Sequence, residues 1–274
     1  MPRDELTREE QVNAIKTWRY LRLSIVAMVI GIFMAIAHSA STVTSFCMQH
    51  SISGYYYTPA RGFLVGALVA IGVCLVALKG NTGIEDVFLN LAGAFAPVIA
   101  LVPTPNLGDC HRDIGAAGRN AGVGNNVFAL LVVGALALVL VAWLVRRDIK
   151  AHPETAKPGG YGWVAAFALW LFAATVFAVN RDLFLAQAHN VAAITMFVFI
   201  IGVVFANARS YGGATNRNRY ALIGWLMLAS AAVVLVLGLA GWKHAVFGIE
   251  AILIALFAVF WLIQTRELWH AGLR

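Results

Sequence analysis

Eight uninterrupted apolar runs set the limits on what this chain can become. They fall at about residues 23 to 45, 62 to 78, 87 to 104, 127 to 145, 161 to 179, 190 to 207, 220 to 240 and 245 to 263. Each is long enough to cross a bilayer as a helix, for which about 20 apolar residues suffice. Lipid offers the backbone no hydrogen-bond partner, so segments of this kind must satisfy their own N–H and C=O groups and are helical. The reading is an all-α polytopic transmembrane bundle with eight predicted spans. Composition closes off the alternative: 61% of the 274 residues are hydrophobic and 12% are Asp, Glu, Lys or Arg, against about a quarter charged in a soluble domain.

The basic residues orient the bundle. With the N-terminus inside, 15 of the 20 Lys and Arg residues lie on the cytoplasmic side and 5 outside, as the positive-inside rule requires. The largest contributions come from short loops, with Arg146, Arg147, Lys150 and Lys157 in one and Arg209, Arg217 and Arg219 in another. Both termini are therefore predicted to be cytoplasmic. The chain divides into an interfacial helix over 1–22, the bundle over 23–264 and a cytoplasmic tail over 265–274. Within the first part, Thr7-Arg8-Glu9-Glu10 reads as a capping box, and Val12, Ile15, Trp18 and Leu21 follow at helical spacing. The positive charge is spread over separate loops and forms no patch, which speaks against nucleic acid as a partner and for membrane lipids.

Gly62, Gly66 and Ala70 in the second span, and Ala92, Gly93 and Ala96 in the third, form stripes of small residues where helices can approach closely. Pro103 to Asn126 is rich in Gly and Pro and reads as a long external connection. Cys47 and Cys110 both fall in predicted external loops while Cys74 lies inside the second span, so a Cys47–Cys110 disulfide is expected in an oxidising compartment.

A charge at the centre of a spanning helix costs about 2.5–3.5 kcal/mol on insertion scales. Within the spans as bounded above, the ionisable candidates are Glu250 and His38, both in the outer half. The helical neighbours of Glu250 are Val246, Phe247, Leu253 and Ile254, all apolar, so its partner must come from elsewhere; His38, His189 and Arg61 lie near that depth. Two readings stay open. Glu250 ties helices together, or it works in an outward-facing polar pocket as a proton carrier, a general base or a ligand for a head group. His38, His189 and Glu250 also suit zinc with an open coordination position, and Asp109, His111 and Asp113 alternate in the external loop. No other cofactor is called for. No span holds a lysine for a retinal Schiff base, and no nucleophile elbow, phosphate loop or dinucleotide fingerprint occurs. Tyr55, Tyr56 and Tyr57 open the second span, either as an aromatic belt at the head-group level or with Tyr55, Tyr57 and Arg61 lining a mouth for an anionic or glycosylated head group.

The stretch Ser51-Ile52-Ser53-Gly54-Tyr55-Tyr56-Tyr57-Thr58, followed by Phe63-Leu64-Val65-Gly66 and Ala100-Leu101-Val102-Pro103-Thr104, resembles an uncharacterised bacterial multi-pass membrane family with an S-x-S-x-Y-Y-Y-T, F-V-G and A-L-F-P-T pattern. That family opens a later span with a histidine, matched by His189, and carries a Glu ahead of a Phe-x-x-x-Trp-Leu run, matched by Glu250 with Phe257, Trp261 and Leu262. More remotely the layout is similar to the Frag/DRAM/Sfk group of lipid-linked membrane proteins and to ceramidase-like intramembrane hydrolases. The resemblance implies a bacterial plasma (inner) membrane protein that binds, senses or remodels a lipid or small amphiphile. A proton-coupled transporter or channel using Glu250 and a metal-dependent intramembrane hydrolase are the alternatives.

The charge asymmetry makes a prediction about sidedness. Single cysteines placed in the 104–126 loop are expected to react with an impermeant thiol reagent added from outside, and those in the 146–158 loop to be protected until the membrane is opened. The reverse pattern of labelling would invert the orientation.

Overall fold

The computed structural model describes residues 8–42, 47–105, 116–151, 161–210 and 214–269. Among these it is all helical: α1 (Arg8–Ser41), a 3-10 turn (Ser53–Tyr57), α2 (Arg61–Ala77), α3 (Gly83–Leu101), α4 (Ala116–Ala151), α5 (Tyr161–Val179), α6 (Arg181–Ser210), α7 (Ala214–Leu239) and α8 (Ala245–Glu267). Seven of the eight α-helices are long and apolar enough to cross a membrane, and α2, with 17 residues, is the shorter apolar helix. The chain is a multi-pass membrane protein, and much of its outward surface is apolar, with Phe172, Val139 and Leu235 each about two-thirds exposed.

Several boundaries differ from the sequence reading. The expected interfacial helix and the first span are one continuous α1 of 34 residues, about 51 Å long at 1.5 Å per residue. α3 starts at Gly83, ahead of the expected 87, because Thr82 caps it by accepting the Glu85 N–H at 3.2 Å; this draws Glu85 and Asp86 into the first turn. α4 begins at Ala116, so the Gly-rich end of the expected connection is helical. Within it Gly124 lies against the Arg181 guanidinium, the movable end of a long side chain. The narrow join between α7 and α8 is a turn at Gly241, whose φ of 88° is open to glycine at no steric cost. Around it Gly241 N–H donates to Gly238 O and Trp242 N–H to Leu237 O, each at 3.0 Å, as in a Schellman cap.

The helices α1, α2, α3, α6, α7 and α8 form a closed ring in which each packs on the next and α8 returns to α1. The buried interior of this ring is one apolar cluster that includes Ile32, Leu75, Ala92, Ala96, Val204, Met227 and Phe260. The α4–α5 hairpin lies outside the ring against α3 and α6. It is held together in part by Trp163 and Trp170, whose indole N–H groups donate to the carbonyls of Leu138 and Leu131 at 3.0 and 2.9 Å.

Helix α2 meets α3 where backbone touches backbone. A Cβ on Gly72 would lie 2.8 Å from Gly93 O, and one on Gly93 would lie 2.7 Å from Gly72 O, so neither site has room for a side chain. The expected small residues of α3 are in this contact, with Ala92 and Ala96 fully buried beside Gly93. The expected stripe of α2 is not: Cβ atoms at Gly62 and Gly66 would have nothing within 4 Å, because α2 turns its Gly72 side to α3. Cys74 is the free cysteine among the described residues. Cys110, and with it the expected Cys47–Cys110 bond, lies outside them, as do Asp109, His111 and Asp113.

Overpacking a close-packed contact costs about 1–3 kcal/mol, and more where only backbone can yield. Gly93→Leu is therefore expected to lower the thermal unfolding midpoint by several degrees, whereas Gly66→Leu should leave it within a degree or so of the parent in the same scan.

Candidate functional site

The site grows from the stretch between α1 and α2, whose described residues 47–52 are neither helix nor strand. Its local fold follows from its small polar residues. The Ser51 hydroxyl and carbonyl both accept the Gly54 N–H, at 2.9 and 3.2 Å, and Tyr55 N–H returns to Ile52 O at 3.0 Å. This winds Ser53–Tyr57 into the 3-10 turn, and Thr58 closes it with its hydroxyl on Tyr55 O at 2.8 Å. Wound this way, all three tyrosines point inward: Tyr55, Tyr56 and Tyr57 are 1, 6 and 3% exposed. They are not an aromatic belt facing lipid. Tyr57 O–H donates to Thr104 O at 2.7 Å and so ties the turn to the end of α3. Tyr55 is buried under the stretch, with its phenol oxygen accepting Gln49 N–H at 3.5 Å; burial pushes its pKa above the ordinary tyrosine value.

Glu250 holds this turn from below. Its Oε2 accepts the N–H groups of Ile52 and Ser53, at 2.5 and 3.4 Å, and its Oε1 accepts the Ser53 hydroxyl at 3.0 Å. Those amides are among the leading N–H groups of the 3-10 turn, which have no partner within the turn itself. The first turns of α8 bind the same stretch again: Phe247 N–H donates to His50 O at 2.9 Å, and His244 Nδ1 lies 3.3 Å from Gln49 O. The His50 and His244 rings meet edge to face with centroids 5.4 Å apart.

This corrects the expected partnership. Glu250 is met by neither His38, His189 nor Arg61. His38 is exposed near the end of α1, and its carbonyl accepts the Ser41 and Thr42 hydroxyls. His189 is 3% exposed, with Nδ1 2.7 Å from Val102 O, so it fastens α6 to the end of α3. Arg61 donates to Tyr56 O–H at 2.7 Å with its guanidinium 4.2 Å from that ring, a partnership that accounts for a cation at the outer end of α2. The proposed zinc set is not assembled: no group of three or more His, Cys, Asp or Glu side chains is close enough to hold a metal among the described residues. The sequence reading also missed Ile52 and Ser53 as partners and the His50–His244 pair. A backbone donor carries no residue signature, and the one hint was that Glu250 had no polar neighbour along its own helix.

Directly below Glu250 and Ser53, at the centre of the ring, lies a cavity of about 50 Å³. Every helix of the ring except α7 contributes to its wall, through residues such as Ile32, Leu68, Ile99, Met196 and Phe257. Among the described residues, Glu250 and Ser53 are the only polar side chains that line it, both at the end nearest the turn. A second, more open crevice of about 300 Å³ sits at the outer surface between the end of α3 and the start of α6, where Tyr57, Thr104 and Asp182 face it. No family model, curated protein or solved structure matches this chain.

The bonds of Glu250 set what its loss should do. Glu250→Ala leaves two backbone N–H groups and a hydroxyl without an acceptor in an apolar setting, at about 1–3 kcal/mol for each group left bare. We expect faster hydrogen exchange at Ile52 and Ser53 and a lower unfolding midpoint in this variant. Glu250→Gln keeps a carbonyl oxygen for the amides and strands no cation, so its midpoint should fall by less than half as much. Equal losses in the two variants would mean that charge, not the acceptor, is what the turn requires.

Proposed function

We propose that this membrane protein binds a small amphiphile in the central cavity, with Glu250 receiving a head group that donates hydrogen bonds, such as an amine or an alcohol. One observation carries the reading: the cavity is apolar over its whole wall and polar at one end only. Such a lining favours a molecule with one apolar body and one polar tip, which is how ligand sites of this kind fix orientation. Glu250 spends its known bonds on two N–H groups and one hydroxyl, and a carboxylate offers about four lone-pair positions, so it retains capacity for a donor from the cavity side. About 50 Å³ accommodates a few waters or a short alkyl segment. A longer body displaces Met196, whose three rotatable bonds make it the most adaptable part of the wall. The turn Ser53–Tyr57 roofs this chamber; on the orientation expected from the charge pattern, with both termini cytoplasmic in a bacterial inner membrane, the head group would face the external side.

The test uses hexylamine, 1-hexanol and hexanoate as probes on the full-length protein in nanodiscs, read as shifts of the thermal unfolding midpoint. The amine and the alcohol are expected to stabilise and the carboxylate to have no such effect. Glu250→Gln should lose the preference for the amine, and Ala193→Leu, which fills the cavity wall, should lose the response to all three. Equal responses to the three head groups, or a response unchanged in Ala193→Leu, would show that the probes act on the lipid and not in the cavity.

A further inference from the structure

The inner end of the ring holds a second carboxylate, one that fell outside the spans as read from sequence. Glu85, in the first turn of α3, is 1% exposed. Its Oε2 accepts Asn81 N–H and its Oε1 accepts the Asn207 side-chain amide of α6, both at 2.8 Å. Asn207 is itself fully buried and carries the chain onward. Its Oδ1 accepts Gln264 Nε2 of α8 at 2.9 Å and Asn81 Nδ2 at 3.4 Å, and its Nδ2 also donates to Val203 O at 3.0 Å. The amide donors thus run in one direction, from Gln264 through Asn207 to Glu85. Oxygens accumulate as a result.

One of those oxygens is left bare, and so is one beside it. Gln264 is 1% exposed and its Oε1 meets no donor; Thr265, the next residue, is 4% exposed and its hydroxyl oxygen has no partner either. Among the described residues the Glu85 carboxylate takes amide donors and no ammonium or guanidinium, while the one nearby lysine, Lys79, is bonded to Asp86 at 2.8 Å. Arg22, the other buried charge at this end, is on α1, with its guanidinium over the rings of Trp18 and Trp261 at 4.7 and 5.9 Å. A buried carboxylate and a buried carbonyl without a donor are both attached to the same Asn207 amide, so oxygens outnumber donors around it. Buried polar groups are rarely left in that state.

We propose that the Glu85–Asn207–Gln264 cluster binds a sodium ion, with the Glu85 carboxylate and the bare Gln264 carbonyl as ligands from α3 and α8. One carboxylate balances a single positive charge, which favours a monovalent ion over calcium or magnesium. Carboxylate and amide oxygens are hard ligands of the type such ions take. The cluster lies between close-packed helices, which favours sodium over the larger potassium. A proton on Glu85 could supply only one new donor to one oxygen, whereas an ion can draw oxygens from two helices. The helices it joins, α3, α6 and α8, also wall the central cavity through Ile99, Met196 and Ile254, so the ion would fasten the inner ends of three cavity helices. The proposal does not depend on what the cavity holds.

The test is thermal unfolding of the full-length protein in nanodiscs, titrated with NaCl against choline chloride and against KCl at constant ionic strength. Sodium at tenfold excess over its dissociation constant should raise the midpoint by about 2–4 °C, with saturation, and potassium and choline should not. Gln264→Leu removes the bare carbonyl and leaves Glu85 at the start of α3; it should fold and lose the sodium increment. Glu85→Gln should lose it as well. No difference between sodium and choline in the parent overturns the proposal, and so does an increment retained in Gln264→Leu. Stabilisation on lowering the pH with no response to sodium would assign the site to a proton instead.

Discussion

A backbone N–H in apolar surroundings must find an acceptor, and the half of this molecule around Glu250 is arranged around that requirement. The stretch from residue 47 to Tyr57 lacks the regular hydrogen bonds of a long helix, yet it is packed into the bundle, with Gln49, Ser51, Ile52 and the three tyrosines all buried. Non-helical backbone at such depth is tolerated where protein supplies the missing partners. Glu250 takes Ile52 and Ser53, the phenol of Tyr55 takes Gln49, and Ser51 takes Gly54. Once these are satisfied, Tyr57 is aimed at Thr104, α3 is fixed to the turn, and the cavity acquires its polar end. Glu250 is thus both a fastener for the turn and, among the described residues, the one acidic side chain facing the chamber.

The same reasoning separates what was legible in the sequence from what was not. Apolar length located the helices because each span must satisfy its own backbone, a property of the segment alone. Close packing of α3 was readable from Ala92, Gly93 and Ala96, since small residues on one face have few other uses. On α2 the same rule chose Gly62 and Gly66 and missed Gly72: a 17-residue helix with glycines on more than one side has no internal evidence of which side faces protein. The partner of Glu250 was unreadable for a different reason. Charge marks a side chain as a partner for a carboxylate, whereas the actual partners, two main-chain amides and a serine, carry no such mark. Glu85 was lost through a boundary, since a helix that starts four residues before its apolar run draws in the polar residues that cap it.

The two ends of the ring solve related problems with different chemistry. At the outer end one carboxylate meets donors fixed in a turn of backbone, so the contact fastens a connection to α8. At the other end the Glu85 carboxylate meets one main-chain N–H and the side-chain amide of Asn207, so the contact fastens α3 to α6 and, through Asn207, α6 to α8. Between the two ends the ring relies on apolar packing alone, and in lipid that packing has no hydrophobic drive behind it, because lipid tails are as apolar as the side chains. Hydrogen bonds at the ends and close backbone contact at Gly72 and Gly93 therefore carry much of the specificity of assembly.

That division bears on which movements α8 allows. α8 carries Glu250 near its outer end and Gln264 near its inner end, about 21 Å apart along the helix at 1.5 Å per residue. A straight helix cannot move one of these groups laterally without tilting or shifting the other. If a ligand draws Glu250 away from Ile52 and Ser53, the turn loses its fastener and the strain passes along α8 to the Asn207 contact. If the inner contact is held firmly, α8 pivots about that end and the outer end opens; if it is slack, the helix translates and the cavity changes little in shape. Any displacement of α8 at the Glu250 end would therefore be resisted at its other end by the Asn207–Gln264 bond.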